Sequence, residues 1–520
     1  MNERPLRNRR TFLAEVGRGT LIATIGYGLS RDMGMTSALG DETENRLNFG
    51  PLEPLVAMMQ ETPADRLMPV AVEKLRSGTS LRDLLAAAAL ANARTFGGED
   101  YVGFHTVMAL SPAYHMAMEL QGERQALPVL KVIYRNANRI QEFGGPSKEV
   151  LRPIIPNDGP LTGEALRAAV RAKDLDAADR TFAAICRAEG TNPLDALLFA
   201  VGDNTEVHRT VLPYRAYDLL SLIGREHAET LLRQSVHYCV KSERTSNHNE
   251  HTDRPRQVLP EILDRHHLLG ASPTPRDADD AWVDSLSRTF FQGSADEAAE
   301  AAAEALAAGY PPSAIGEAIS LAANQLVLRD AGRPAKEASP DKPAGSVHGA
   351  SIGVHACDSA NAWRNMALAC KGRNQAACLI LGAYQVADDR VNRGGDFLHW
   401  SPRPLNADVE PLKSVSPSAL LGELDSAIRD NNQSRACAVV SCWNDSGGAE
   451  RPVLDILLKY ATTEDGALHA EKYYRTTCEE YAATRPAFRG RLLVALARVT
   501  ASEFGRPAPG VAEAESLLKG

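Results

Sequence analysis

Apolar residues recur along the chain at intervals of three and four, which is the spacing of an α-helical stripe. No Val-, Ile- or Thr-rich alternating run of the kind that forms a strand is present. Ser80 and Asn192 stand where helices are capped, and Gly78, Gly190 and Gly309 stand where helices end. The pattern therefore predicts an all-α fold.

The helical pattern repeats about four times. In each copy a histidine opens an apolar helix, and a pair of Ala- and Leu-rich helices precedes it. The opening histidines are His105, His208, His348 and His469. Because one unit cannot bury its apolar stripe alone, we expect a single helical-repeat body of about four units, each with roughly four helices.

These units give a predicted division of the chain into six segments. It has an export signal at 1–40, helical repeats at 41–150, 151–241, 294–415 and 416–520, and an irregular insertion at 242–293. The insertion is rich in Pro, Asp and His, and a second Pro-rich break falls at 393–415. Long loops of this kind are usually functional or mobile.

The first 40 residues resemble a twin-arginine export signal. Residues 9–13 (RRTFL) carry the paired arginines, residues 19–29 form a short apolar stretch, and residues 38–40 (ALG) offer a small-residue cleavage site. The resemblance implies passage through the twin-arginine export machinery and a periplasmic or extracellular location. The alternative is an ordinary basic amphipathic N-terminal helix.

Composition excludes several classes of protein. The chain has 520 residues with 44% hydrophobic and 24% charged residues, which rules out intrinsic disorder and a disulfide-stapled miniprotein. The net charge of −9 and the lack of a basic block beyond the first residues argue against a nucleic-acid partner. No apolar run is long enough to span a membrane after processing. The eight cysteines are scattered without a CxxC pair, so we expect mostly small buried thiols.

A titratable residue follows each opening histidine ten positions later. These residues are His115, Asp218, Asp358 and Glu479. Ten residues of helix rise about 15 Å, so the two members of such a pair cannot bind one metal ion on a straight helix. Any metal site must then be built between repeats.

Two local pairs have better spacing for chelation. His115 and Glu119 are four residues apart and His355 and Asp358 three apart, which places each pair on one helix face. Together they offer four N and O ligands, suited to iron, manganese or zinc. The cofactor stays open, because the histidines can instead cap helices, bond neighbouring carbonyls, or act with carboxylates as metal-free acid and base.

The third unit is the densest in polar residues on an apolar helix. We predict a pocket there, with His348, His355 and Asp358 as catalytic residues together with His105 of the first unit. Trp363 and Arg364 follow on the same helix and are predicted to contact a cofactor. The structural alternative is a hydrogen-bond network between helices.

The segments Phe104-His105, Val207-His208 and Val347-His348, each with its acidic or His residue ten positions on, resemble the questin oxidase-like family of all-helical oxidoreductases. The match covers short helix pieces only. It implies oxygenative ring opening of polyketide-type aromatic ketones, with His105, His348 and Asp358 as pocket residues. Walker A, GxGxxG, Gly-x-Ser-x-Gly and HExxH motifs are all missing from the sequence, which argues against NTPases, Rossmann dehydrogenases, α/β-hydrolases and zincins.

Two functions are consistent with this pattern. The first is an exported oxidoreductase with a polar, metal-containing pocket for a small-molecule substrate. The second is a non-catalytic helical-repeat scaffold that binds an envelope protein. An enzyme should bring histidines from at least two repeats together, whereas a scaffold should scatter them.

Overall fold

The computed structural model describes residues 45–270, 273–340, 342–392 and 395–519. Within these ranges the chain forms 23 α-helices and no β-strand, and it is 73% helical, which confirms the all-α prediction. The predicted export signal at 1–40 lies outside the described residues. None of the helices in the described ranges has the length and apolar character needed to cross a membrane.

Ten helices precede the predicted insertion. They are α1 Glu53–Glu61, α2 Ala64–Arg76, α3 Leu81–Phe96, α4 Tyr101–Glu119, α5 Leu127–Phe143, α6 Gly163–Arg171, α7 Leu175–Arg187, α8 Pro193–Val201, α9 Val207–Ile223 and α10 Ala228–Thr245.

Thirteen helices follow. They are α11 Arg254–Arg265, α12 Asp280–Gln292, α13 Ala295–Ala307, α14 Pro312–Arg329, α15 Ile352–Ala369, α16 Gly372–Asn392, α17 Asn406–Val409, α18 Pro417–Arg429, α19 Gln433–Asp445, α20 Glu450–Thr463, α21 His469–Ala483, α22 Pro486–Glu503 and α23 Val511–Lys519.

Four helices, one from each predicted unit, form a ring at the centre of the molecule. Helix α4 packs against α9, α9 against α15, α15 against α21, and α21 against α4. Helix α15 is buried without a break from Gly353 to Arg364, and α4 from Gly103 to Ala113. A helix that is buried around its whole circumference belongs in a core, and the remaining helices cover this ring.

The helices that the repetition predicted are present in all four units. Each ring helix is followed by a partner that packs on it: α5 on α4, α10 on α9, α16 on α15, and α22 on α21. Helix α23 then packs on α2 and α5, which brings the end of the chain back to the first unit. That the four units superpose remains a prediction.

The expectation of an irregular insertion at 242–293 is wrong. That segment contains α11 and α12. Some of its prolines and aspartates lie at helix starts, since Pro255 is in the first turn of α11 and the Asp279 side chain caps α12 by accepting from the Trp282 N–H. Pro260 lies inside α11. Composition alone did not distinguish helix-starting prolines from loop prolines.

All eight cysteines are free thiols, and five of them are buried. The expectation of mostly small buried thiols is met by these five. The buried ones are Cys239, Cys357, Cys370, Cys378 and Cys437.

Candidate functional site

Four imidazoles meet at one end of the central ring, one from each ring helix. We call His105, His208, His355 and His469 the four-histidine cluster. The Nε2 atoms of His105 and His208 are 3.3 Å apart, and those of His355 and His469 are 3.1 Å apart. Around the cluster the ring centroids of successive histidines are 4.8, 5.9, 5.2 and 5.3 Å apart. Histidines from four units therefore converge rather than scatter.

The outer nitrogens of three of these rings are hydrogen-bonded to groups that can only accept. Nδ1–H of His105 donates to the Tyr101 carbonyl oxygen at 2.7 Å, and Nδ1–H of His469 donates to the Ala467 carbonyl at 3.1 Å. Nδ1–H of His208 donates to Oε1 of Glu206 at 2.6 Å. In a neutral imidazole the other nitrogen then carries a lone pair, and here that nitrogen is the inward-facing Nε2.

Glu206 is the N-cap of α9 and fixes the orientation of His208. Its Oε2 accepts the backbone N–H groups of His208 and Arg209, each at 3.0 Å, and the Tyr238 hydroxyl at 2.8 Å. Burial opposes ionisation of Glu206, but the hydrogen bonds from His208 and Tyr238 lower its pKa to about 2. A carboxylate behind a histidine in this way raises the basicity of the imidazole and fixes its tautomer.

The surroundings favour the neutral form of two of the four imidazoles. Burial, and after it the charge of Lys472, lowers the pKa of both His105 and His469 well below the ordinary value. Lys472 lies one turn beyond His469 on α21, and burial lowers its own pKa to about 8. Neutral imidazoles are the form that binds metal ions.

One side of the cluster lies close to solvent. Tyr101 opens α4 with 62% of its surface exposed, and its ring centroid is 4.5 Å from that of His105 and 5.8 Å from that of His208. Phe104 stacks on His105 at 5.0 Å and lies equally close to His208. Two aromatic rings therefore separate the imidazoles from the outside.

A second polar level lies about ten residues further along the ring helices. His115 Nε2 is 4.0 Å from Asp218, Arg215 lies 3.7 Å from Asp218, and Arg215 is 3.2 Å from Glu479. Asp358 accepts from the Thr476 hydroxyl at 2.8 Å, and Thr476 accepts from Arg215 at 3.1 Å. The ten-residue spacing thus corresponds to a second level of contacts between ring helices, centred on the buried Arg215.

The structure does not bring the two predicted chelating pairs to a common centre. Glu119 accepts from Arg451 at 2.6 Å and from Tyr474 at 2.8 Å, away from the cluster. His115 faces Asp218, and Asp358 is bonded to Thr476. Of these four residues, only His355 points its Nε2 at another histidine.

The residues predicted to hold a cofactor are used in packing instead. Trp363 Nε1–H donates to Gln385 at 2.7 Å, and Arg364 pairs with Glu480 while donating to the Ala483 carbonyl at 2.8 Å. These contacts are the inter-helix hydrogen-bond network that we considered as the structural alternative.

His348 lies outside the cluster, four residues before α15 begins at Ile352. Its Nε2 is 3.7 Å from Oε1 of Glu503, and its Nδ1 accepts the Ala350 N–H at 3.1 Å. Burial and nearby cations lower its pKa to about 3. The third unit therefore contributes His355 rather than His348 to the cluster.

Sequence reasoning missed Glu206, Tyr238 and Lys472 as parts of this site. Glu206 is the N-cap of α9, but glutamate is not among the residue types that mark an N-cap in a sequence. Nothing in the sequence indicated that Tyr238 contacts this cap. No pattern marked Lys472.

Within the described residues, no set of three or more His, Cys, Asp or Glu side chains has the arrangement of a ready-made metal site. The four-histidine cluster consists of two close Nε2 pairs. In comparisons with known proteins, no family model matches the chain, and no curated protein or solved structure matches it. The resemblance to questin oxidase-like proteins therefore depends on the short helix segments quoted above.

Proposed function

We propose that the four-histidine cluster binds one transition-metal ion and that the protein is a metal-dependent oxidoreductase. The observation that supports this most is the contact between His105 and His208. Both rings use Nδ1–H on an outer acceptor, so two Nε2 lone pairs oppose each other at 3.3 Å. A cation between them removes this repulsion.

The spacing of the nitrogens suits such an ion. Metal–imidazole bonds of about 2.0–2.1 Å place neighbouring ligand atoms roughly 2.8–3.0 Å apart in octahedral coordination and roughly 3.3–3.4 Å apart in tetrahedral coordination. The two observed Nε2 separations, 3.3 and 3.1 Å, lie within the span of these two geometries. One ion bound by both pairs would take one ligand from each ring helix.

A shared proton fits the cluster less well than a metal ion. Protonation would create an imidazolium where burial and the charge of Lys472 already lower the pKa of His105 and His469. A metal ion instead binds the neutral rings that this environment favours. Imidazole ligands suit iron, copper, nickel and zinc, and among these iron and copper give redox chemistry with oxygen.

The residues around the cluster support a redox role. Glu206 and the carbonyls of Tyr101 and Ala467 hold three of the rings by their outer nitrogens, so a bound ion would have ligands of fixed orientation. Tyr101 and Phe104 limit the access of water. The family resemblance supplies the substrate class, an aromatic ketone of polyketide type.

Elemental analysis of the protein purified after export tests the metal proposal. We expect about one transition-metal ion per chain, lost in His105→Ala and in His469→Ala. His399→Ala is the matched control, because His399 is 80% exposed and bonds only Asp396 among the described residues. A wild-type protein that stays metal-free after incubation with iron, manganese and zinc would contradict the proposal and favour the scaffold alternative.

Oxygen uptake tests the redox part separately. The metal-loaded protein should consume oxygen in the presence of a hydroxylated anthraquinone, and His105→Ala should not. If the protein binds one metal ion per chain but consumes no oxygen, the metal site is supported and the proposed oxidoreductase activity on this substrate class is contradicted.

A further inference from the structure

A cleft remote from the four-histidine cluster lies between α8, α9 and α10. It has a volume of about 390 Å³, within the range of sites that take small organic ligands. Its floor is apolar and includes Leu194, Leu220 and Leu232, all buried. Tyr217 on its wall is nine residues beyond His208 on α9, so the cleft is about 14 Å along the helix from the cluster.

The polar groups of the cleft fall into two sets. Thr191 and Ser221 use their hydroxyls on backbone carbonyls, at 2.6 Å and 2.7 Å. Arg225, Tyr217 and Asn192 make no side-chain hydrogen bond or ion pair within the described part of the chain. All three can donate, and the positively charged Arg225 has no carboxylate at ion-pairing distance in the described part of the chain.

The Cys186 side chain adds to the apolar surface of the cleft. Burial raises the pKa of the Cys186 thiol, so this side chain is neutral and behaves as a small hydrophobe. The nearby Glu229 does not offer a free negative charge, because Arg187 holds both of its oxygens at 2.8 and 3.0 Å. The cleft thus combines an apolar floor with donors and one cation at its mouth.

From this arrangement we infer that the cleft binds an apolar monocarboxylate, with its hydrocarbon body on the leucine floor and its carboxylate at Arg225. A guanidinium is suited to a carboxylate because its parallel N–H groups match the two oxygens. Tyr217 and Asn192 provide further donors to the same head group. This site is independent of the proposed metal centre.

A second cleft of about 650 Å³ lies beside α11, α13 and α16, but its cationic groups are already paired. Arg254 on its wall binds Asp296 at 2.7 Å, and His251 lies 3.7 Å from Asp388. It offers no comparable unpaired cation for a carboxylate head group.

Isothermal titration calorimetry with the full-length protein tests the inference, using decanoate and 1-naphthoate as probes and decanol as the neutral comparison. We expect one site that binds at least one of the acids about tenfold more tightly than decanol. Arg225→Gln should weaken acid binding about tenfold and leave decanol binding unchanged. Ala228→Phe, which places a ring in the cleft, should weaken binding of all three.

Arg66→Gln is the matched control, since Arg66 is exposed on α2 and outside the cleft. The relative response to decanoate and 1-naphthoate separates an aliphatic from an aromatic ligand. The inference is overturned if neither acid binds, or if acid binding is the same in Arg225→Gln as in Arg66→Gln. Metal content should be unchanged in all of these variants, so this result and that for the cluster are separable.

Discussion

His237 is a buried histidine held between two carboxylates, apart from the four-histidine cluster. Its Nδ1 is 3.0 Å from Glu99 and its Nε2 is 2.9 Å from Asp179. Burial alone would lower the pKa of His237, but its hydrogen bonds to Asp179 and Glu99 raise it above 6.5. The bond to His237 in turn lowers the pKa of Glu99 below 4.5. The imidazolium thus links α7 and α10 to the segment before α4.

This link makes stability depend on pH. Because the pKa of His237 is higher in the folded state, its contribution is complete below the unfolded value near 6.5 and is lost as pH rises through the folded value. The pKa of Glu99 is instead lower in the folded state, so its contribution to stability is lost as pH falls below about 4.5. We expect the melting temperature to fall between pH 6 and pH 9, and His237→Gln to reduce that slope. At pH 6 the substitution should cost about 1–3 kcal/mol of unfolding free energy.

Thermal melts of wild type, His237→Gln and His399→Gln over this pH range provide the measurement. His399 is exposed, so its variant should melt like wild type at every pH. An unchanged slope in His237→Gln would mean that other groups set the pH dependence.

The sequence did not indicate which histidine of the third unit, His348 or His355, joins the four-histidine cluster. His348 and His355 are seven residues apart, close to two helical turns, so periodicity places both on the same helix face. The start of α15 decides between them, because Ser351 is its N-cap and leaves His348 outside the helix. The sequence suggested that histidines from different units come together, but it did not single out His355 as the one from the third unit.

At the scale of elements, partner helices anchor the starts of ring helices. Arg139 on α5 binds the carboxylate of Asp100 at 2.9 and 2.6 Å, and Asp100 caps α4 by accepting the Gly103 N–H at 2.8 Å. In the second unit Tyr238 on α10 bonds Glu206, the cap of α9. In these two units a side chain of the partner helix therefore contacts the N-cap residue of the ring helix.

We expect Asp100→Ala to destabilise the protein more than a substitution that removes only a cap. It deletes the N-cap of α4, which costs about 1 kcal/mol, and also leaves Arg139 without this partner. Asp174→Ala is the matched comparison, because Asp174 caps α7 through the Ala177 N–H at 3.0 Å and has no ion pair in the described part of the chain. Urea unfolding of both variants gives the difference.

Asp100→Ala should lose roughly 1 kcal/mol more than Asp174→Ala, the contribution of the Arg139 contact. Equal losses would show that the ion pair adds nothing beyond the cap. The extra contribution is kept modest because Arg139 is 30% exposed and also pairs with Glu142.

At the scale of the whole molecule, the chain closes on itself. Helix α21 of the last unit packs against α4 of the first, and Arg76 on α2 donates to the Leu517 carbonyl on α23 at 2.6 Å. The ring helices pack in chain order, α4 on α9, α9 on α15 and α15 on α21, while their membership of repeated units remains a prediction. Closure could not be predicted, because it depends on the small rotation between successive units, which the apolar pattern of one helix does not encode.

Closure also explains why the site could be foreseen only in part. A single ring helix presents one imidazole, and four helices must meet before the Nε2 atoms come within 3.1 and 3.3 Å. The sequence indicated that a site had to lie between repeats, since a ten-residue pair cannot chelate on one helix. It could not indicate which histidines share a level, because that depends on where each helix begins.

The last prediction concerns the assembled protein and its proposed export. The twin-arginine pathway accepts folded proteins, which suits a chain whose proposed metal ligands come from four ring helices and exist as a set only after the ring has closed. Replacing Arg9 and Arg10 by Lys should trap the precursor in the cytoplasm, since the pathway reads the guanidinium pair. The trapped precursor should carry the same amount of metal as the exported protein. Cell fractionation with immunoblotting, followed by elemental analysis of each fraction, measures both outcomes.

Export of the double variant at the wild-type rate would contradict the assignment of the signal. A trapped precursor without metal would instead place metal loading after export and remove the reason for folding first.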